Sequence, residues 1–235
     1  MVIRKVFNMI KKGFTLAEVL VTLGIIGIVA ALTMPSLGKS ASRAKIGPEL
    51  AAAIRTVENA TQQFMADYNA NYLSVALKKS GETGKLDEYL AYLVENGYIK
   101  AEKSTDIPKE STAYSSYTEG EGASATTSTV GLKTSGTGYV FANKSAIAYN
   151  DSCSFVEVKN EEGTVTTEKQ DKCEVLFMTS GFKNRDTLIT GLDIFRFYLT
   201  NDGTVDVGNS TNCGDGKSGF DCAGKIAQDG WKVTY

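Results

Sequence analysis

The chain has 235 residues, of which 42% are hydrophobic and 22% are charged, and its formal net charge is −2. This length suits one membrane helix followed by one globular domain of ordinary size. The sequence contains no histidine, which removes the commonest general base and metal ligand. We therefore expect a protein that is not an enzyme.

A basic leader precedes a long apolar run that contains a single acidic residue. Four basic residues and no acid stand before Gly13: Arg4, Lys5, Lys11 and Lys12. The run Phe14–Leu32 is mostly apolar, and Glu18 is its one ionisable side chain. As a helix rising ~1.5 Å per residue, the run can cross most of a ~30 Å hydrocarbon layer. Because a carboxylate there costs roughly 2.5–3.5 kcal/mol, Glu18 is expected to have a function and a partner.

The stretch KKGFTLAEVLVTLGIIGIVAAL, which begins at Lys11, resembles the class III signal of type IV pilins and type II secretion pseudopilins. The resemblance covers about residues 10–37. It implies that a prepilin peptidase cuts between Gly13 and Phe14 and methylates the new amine of Phe14. It also implies that Glu18, the fifth residue of the mature protein, neutralises the Phe14 amine of a neighbouring subunit and so sets the axial register.

The charges around the predicted cleavage site agree with this resemblance. The basic leader favours a cytoplasmic N-terminus by the positive-inside tendency, so the C-terminal bulk is expected to be exported. Without residues 1–13 the chain would carry 21 Lys and Arg against 27 Asp and Glu, a net charge of −6. Nucleic-acid binders normally present a basic face, and we expect no nucleic acid as a partner.

An ordinary secretory signal is the main alternative for this segment. Small residues at 29–31 or 40–42 could serve as its cleavage site. However, its apolar core is usually 7–15 residues long, and it gives no reason for Glu18. The alternative function is a membrane-anchored, disulfide-bonded extracellular binding or adhesion module.

The pattern predicts one long helix from about Thr15 to Leu77, with Pro35 and Pro48 as its weak points. Beyond the membrane part, apolar residues recur at three- and four-residue steps and mark one stripe of an amphipathic helix: Ile46, Leu50, Ile54, Val57, Phe64, Tyr68, Tyr72 and Val75, with Thr61 on the same stripe. The domain plan is a leader at 1–13, a transmembrane or filament-core helix at 14–37, its amphipathic half at 38–79, a short helix with a loop region at 80–138, and a sheet at 139–235.

The C-terminal half changes its period from helix to strand. A helix is expected from Lys85 to Asn96 with Gly97 as a left-handed cap, and the region Ser104–Gly138 is expected to be an exposed loop, since 20 of its 35 residues are Ser, Thr or Gly. Alternating segments predict strands at 139–141, 146–149, 155–158, 174–178, 193–199, 204–207 and 232–235, with hairpin turns at 160–163 and 201–203. The predicted fold class is α+β and pilin-like, a long helix packed on an antiparallel sheet.

Four cysteines stand in the region expected to be exported: Cys153, Cys173, Cys213 and Cys222. They contain no Cys-x-x-Cys pair, and an even number in an exported domain indicates two disulfides. Three pairings are possible, and we favour the sequence-local one, Cys153–Cys173 and Cys213–Cys222. Free buried thiols are the alternative to disulfides. A disulfide-stapled C-terminal region is therefore part of the predicted fold.

The tail is rich in oxygen ligands, and some pseudopilins of the resembled family hold calcium there. The candidates are Asn201, Asp202, Asp206, Asn209, Asn212, Asp215 and Asp221. They lack a regular calcium-loop spacing, so ordinary Asx turns are preferred and we expect no cofactor, with calcium as the alternative.

The resemblance implies a structural subunit of a type IV pilus or a type II secretion pseudopilus. Its expected partners are further copies in a helical filament, the prepilin peptidase, an inner-membrane assembly platform with its ATPase, and membrane lipid before assembly. Its expected location is the bacterial inner membrane as a single-pass protein, then a periplasmic or cell-surface filament.

Overall fold

The computed structural model describes residues 14–82, 84–108, 114–118, 122–128, 137–149, 153–155, 158–159, 165–166, 172–184, 188–213, 219 and 221–235. Side chains are described for these residues except 33–42, 114–118, 122–128, 158–159, 165–166, 184 and 212. The chain divides into two compact units, Met1–Ser42 and Arg43–Tyr235, called unit 1 and unit 2 below. The predicted turn at 160–163 and the residues Gly13 and Asp215 lie outside the described part.

Four α-helices are described: α1 (Leu16–Asp67), α2 (Leu73–Ser80), α3 (Leu86–Glu95) and α4 (Cys222–Gln228). The expectation of one helix reaching Leu77 is wrong, because the helix is interrupted between Asp67 and Leu73. Asn69 there adopts a left-handed φ of 44°, and the Ala70 amide donates to the Met65 carbonyl. Asparagine tolerates this conformation better than most residues. By contrast, Pro35 and Pro48 both lie inside α1, and the predicted helix at 85–96 is confirmed as α3.

The amphipathic stripe of α1 is buried as the sequence predicts. Leu50, Val57 and Phe64 are fully buried, and Ile46 and Ile54 are nearly so. They pack in one cluster with residues of α2, α3 and the sheet. At roughly 1.5–3 kcal/mol for each large apolar side chain removed from water, this stripe holds α1 onto the rest of unit 2.

The described strands form one mixed sheet and a separate two-stranded ribbon. The strands are β1 (Ala101–Ser104), β2 (Tyr114–Thr118), β3 (Gly122–Ser128), β4 (Gly138–Phe141), β5 (Ala146–Tyr149), β6 (Val158–Lys159), β7 (Val165–Thr166), β8 (Lys172–Met178), β9 (Leu188–Thr190), β10 (Ile194–Thr200) and β11 (Val205–Asp206). The sheet order is β1-β4-β5-β8-β10-β9-β2-β3, with β11 paired to β10, and β6 pairs with β7. The α+β class with a sheet rich in antiparallel pairs is confirmed.

Three features of the sheet differ from the sequence prediction. The region expected to be a loop contains β2 and β3, which pair antiparallel with each other. Short β9 pairs parallel with both β2 and β10, so the sheet is mixed. The segment 232–235 forms no strand. It follows Trp231, whose left-handed φ of 63° turns the chain away from a strand conformation.

The sheet has a core on each face because side chains alternate along its strands. On β8, Val175 and Phe177 face the cluster that contains α1, whereas Leu176 and Met178 face a second cluster. Ile107, Phe182 and Leu188 cover that second cluster. Central strands buried on both faces therefore position the surface loops of unit 2 rigidly.

Two disulfides connect elements of unit 2. Cys153 is bonded to Cys173 on β8, and Cys213 is bonded to Cys222 at the start of α4. Both are the sequence-local pairs. At the same end of α4, the Arg196 guanidinium of β10 forms ion pairs with Glu174 at 3.2 Å and with Asp221 at 2.9 Å. Ion pairs and a disulfide therefore both stabilise the start of α4.

Candidate functional site

The first turn of α1 is closed by a reciprocal contact between Thr15 and Glu18. The Thr15 amide and hydroxyl both donate to Glu18 Oε2 at 2.8 Å, and the Glu18 amide donates to Thr15 Oγ1 at 3.3 Å. This arrangement is a capping box, in which an N-cap Ser or Thr and a Glu three residues later satisfy amides that the helix leaves without partners. It explains why α1 begins at Leu16.

The capping box leaves part of the Glu18 carboxylate available. Both bonds go to Oε2, and Oε1 has no partner among the residues that the structure describes. A carboxylate can accept about four hydrogen bonds. The group therefore combines a fixed position, set by Thr15, with an oxygen that can accept a bond from an ammonium on another molecule.

The apolar side chains that follow are exposed in unit 1. Phe14 is 88% exposed, and the large apolar residues from Leu16 to Leu32 are 44–78% exposed. They occupy consecutive positions, such as Val19, Leu20 and Val21, so they cover every face of the helix. A helix that is apolar all round belongs inside a protein core or a membrane. The exposed apolar side chains of this segment are therefore expected to contact lipid or another protein chain.

The described side chains of this segment end at Leu32. Within the part of the chain that is described, no helix has both the length and the hydropathy needed to cross a membrane.

Among the residues predicted for the site, Phe14 and Glu18 are described and lie at the start of α1, while Gly13 is outside the described part. The sequence reasoning did not single out Thr15. Its signal was the spacing Thr15-x-x-Glu18 directly before an apolar run, which is the usual sequence signature of a capping box. The described part of the candidate site therefore contains Phe14, Thr15 and Glu18.

Four of the predicted calcium ligands accept hydrogen bonds from other groups of the protein. Asn201 accepts from the Ser74 amide and Asp206 from Lys172 and the Gly208 amide. Asp202 accepts from Thr200 and Thr204, and Asn209 from the Thr211 amide. No group of three or more acidic or cysteine side chains suited to a metal occurs within the described residues. The bonds from the amides of Thr204, Gly208 and Thr211 are the local turns that were the preferred interpretation. Asn201 and Asp206 also bond residues that are distant in sequence. Calcium remains the alternative.

Comparison with known proteins agrees with the geometry of this segment. Residues 8–34 match the family model of the prokaryotic N-terminal methylation motif. The chain thus carries the class III signal peptide of type IV pilins and pseudopilins, and the resemblance drawn from the sequence is confirmed. Among curated proteins and solved structures, none matches this chain.

In general terms, the motif implies a membrane-anchored precursor that is processed by prepilin peptidase and assembled into a pilus-type fibre. The motif points to a structural pilin-like subunit. The match covers the signal and the apolar segment, so the role of unit 2 has to be argued from its own residues.

Proposed function

We propose that this chain is a structural subunit, a pilin or pseudopilin, of a type IV pilus or a type II secretion pseudopilus. Prepilin peptidase cuts after Gly13 and methylates Phe14, and the subunit assembles through its apolar helix. It is held in the inner membrane with its N-terminus in the cytoplasm. An assembly platform and its ATPase then move it into a periplasmic or cell-surface filament.

The observation that carries this proposal is the exposure of the whole apolar segment in a chain that bears the methylation motif. Large side chains from Phe14 to Leu32 lie uncovered on every face of α1. Lipid covers them before assembly, and helices of neighbouring subunits replace that lipid in the filament. In lipid the association of helices depends on close packing rather than on the hydrophobic effect, and Gly24 and Gly27, around which a Cβ would meet no atom, permit close approach.

The Glu18 carboxylate supplies the register of this packing. Its Oε1 atom is the acceptor for the Phe14 ammonium of the next subunit, while the bonds to Thr15 hold the carboxylate in place. In a low dielectric an unpaired charge costs much more than a paired one, so the axial position that joins the two groups is favoured over the others. The apolar contacts supply most of the association energy, and the ion pair selects the register.

Unit 2 supports the same role. The buried stripe of α1 packs with the antiparallel-rich sheet, as a pilin-like fold requires, and two disulfides strengthen a domain that would face an oxidising environment. The absence of histidine in the sequence and the net negative charge of the processed chain are consistent with a subunit that performs no catalysis and binds no nucleic acid.

The cleavage is tested by mass spectrometry of the N-terminal peptide of protein isolated from membranes of cells that carry a prepilin peptidase. We expect a peptide that begins at Phe14 and is heavier by one methyl group. Cells without the peptidase should yield the longer form. A membrane-anchored binding module would instead begin at residue 1 or beyond residue 31, and either result would overturn the proposal.

The register role is tested by the Glu18→Ala variant, with Glu18→Asp and Glu18→Gln beside it. We expect all three to enter the membrane, and Glu18→Ala and Glu18→Gln to be scarce in sheared filaments. Thr22→Val is a matched control, since within the described residues the Thr22 hydroxyl donates to the Val19 carbonyl of its own helix. Filaments that contain Glu18→Ala at the wild-type level would contradict the role of the ion pair.

A further inference from the structure

Unit 2 contains an open cavity of about 410 Å³ that is lined by three lysines. Lys103 comes from β1, Lys144 from the turn between β4 and β5, and Lys183 from the 3-10 turn after β8. The three residues are distant in sequence, and the ends of three sheet elements bring them to one place. The remaining lining residues are Glu102, Ser104, Val140 and Ser180.

The lysines are held at the cavity by local structure. The turn before β5 is fixed by Asn143, whose Oδ1 accepts from the amide and hydroxyl of Ser145 at 3.0 and 2.7 Å. Lys144 within this turn adopts a left-handed φ of 69°, a conformation that non-glycine residues seldom occupy. The Lys183 ammonium lies 3.2 Å from the Asp106 carboxylate and over the Phe182 ring.

The residues that line the cavity include more basic than acidic side chains. Glu102 is the one carboxylate among the described lining residues, and Asp106 is 87% exposed beside Lys183. The Glu49 carboxylate is not among the lining groups of the cavity, and both of its oxygens accept hydrogen bonds from Ser180. Three lysines and one carboxylate therefore line the cavity in a chain whose overall charge is negative.

One polar donor adds to the ammonium groups. Ser104 Oγ accepts from the Asp106 amide at 3.3 Å, so its proton is free to be donated and has no acceptor among the described residues. Ser180 contributes no donor, since its amide and hydroxyl are both bonded to Glu49. The cavity thus offers lysine ammonium groups and one hydroxyl, all of them donors suited to a compact anion.

We propose that this cavity, formed by Lys103, Ser104, Lys144 and Lys183, binds a phosphate group. Lysine acts as a point charge towards phosphate, and three such charges converging from separate elements match a multivalent anion better than a single carboxylate. The phosphate can belong to a phospholipid headgroup or to a soluble molecule. The proposal does not depend on the role of the chain in a filament.

The test uses the full processed chain in nanodiscs of neutral phosphatidylcholine. Acetylation rates of individual lysines are measured by mass spectrometry with inorganic phosphate and with chloride at the same ionic strength, because salt alone screens charges. In a second arm, phosphatidylglycerol replaces part of the neutral lipid and no phosphate is added. We expect Lys103, Lys144 and Lys183 to react several-fold more slowly in at least one arm, and Lys85 and Lys232 to be unaffected.

A pair of charge-matched variants accompanies the measurement. The first carries Lys103→Gln, Lys144→Gln and Lys183→Gln, and the second carries Lys45→Gln, Lys85→Gln and Lys232→Gln at exposed positions outside the cavity. We expect the thermal stabilisation by phosphate or by anionic lipid to be lost only in the first variant. Protection by phosphate identifies a soluble ligand and protection by phosphatidylglycerol alone identifies a headgroup. Absence of protection in both arms, or equal protection by chloride, overturns the proposal.

Discussion

The backbone of Trp231 lies directly against Gly47 of α1. A Cβ built on Gly47 would stand 1.9 Å from the Trp231 carbonyl oxygen, which is far inside van der Waals contact. The neighbouring Tyr235 is buried and its hydroxyl donates to the Gly191 carbonyl at 2.7 Å. The Trp231 backbone therefore approaches α1 where only a glycine leaves room.

The first prediction concerns this contact. The Gly47→Ala substitution should destabilise the fold by about 1–3 kcal/mol or more, because the overpacked backbone must shift. This cost outweighs the higher helix propensity of alanine, which favours alanine over glycine by about 1 kcal/mol. Urea unfolding measures the change. Gly181→Ala is the control, since a Cβ there meets no atom within 4 Å. Equal stability of the two variants would contradict the close contact.

The second prediction concerns the start of α1. Thr15→Ala removes the hydroxyl that bonds Glu18, and it should cost the first turn about 1 kcal/mol. Thr15→Ser keeps the capping box and should resemble the wild type. Hydrogen exchange at the Glu18 amide, measured on the protein in micelles, should accelerate only in the alanine variant. Unchanged exchange there would show that Thr15 does not cap the helix.

The third prediction compares the two disulfides. The Cys153–Cys173 bond closes a separation of 20 residues and the Cys213–Cys222 bond a separation of 9. In the chain-entropy account, each doubling of the length of the closed loop adds about 0.6 kcal/mol to the stabilisation by the disulfide. Replacing the first pair by alanines should therefore lower the free energy of unfolding by about 0.6 kcal/mol more than replacing the second. The opposite order in denaturant unfolding would rule out this account.

The fourth prediction concerns pH and the Lys172–Asp206 pair. The Lys172 ammonium at 2.9 Å lowers the pKa of Asp206 below its ordinary 3.8, and the Asp206 carboxylate raises the pKa of Lys172 above 10.5. The stabilisation is thus present between these two values, is lost as the pH falls through the lowered pKa of Asp206, and is lost as the pH rises through the raised pKa of Lys172. Since both side chains are about half exposed, it amounts to roughly 0.2–1 kcal/mol.

The Asp206→Asn variant measures this pair. Its deficit in the free energy of unfolding should be largest near neutral pH and should shrink at both extremes. Asp106→Asn is the control, because Asp106 is 87% exposed beside Lys183 and should contribute nearly nothing. A deficit of Asp206→Asn that stays constant from acid to alkaline pH would exclude the ion pair as its cause.

The features that the sequence predicts correctly are those fixed by neighbours in the chain. Gly97 and Gly203 adopt the left-handed φ of 80° that the helix cap and the hairpin turn require. The stripe from Ile46 to Phe64 is buried because its period alone selects one face. The methylation motif at residues 8–34, which contains Phe14 and Glu18, is likewise identified from a compact stretch of sequence.

The features that were missed depend on partners far away in the chain. Strands β2 and β3 have a loop-like composition, and β2 is placed by parallel pairing with Leu188–Thr190, more than 70 residues later. The segment 232–235 alternates like a strand, but the contact of Trp231 with Gly47 directs it onto α1. The lysine cavity joins Lys103, Lys144 and Lys183, which share no local pattern.

The contact between residues 43 and 235 also bears on when unit 2 can finish folding. Arg43 Nη1 donates to the Tyr235 carbonyl across 192 positions of sequence. Contacts of such separation form late and slowly, and this one cannot form before the ribosome has added residue 235. Folding of unit 2 therefore depends on residues at both of its ends, because Arg43 and Tyr235 must both be present before this contact can form.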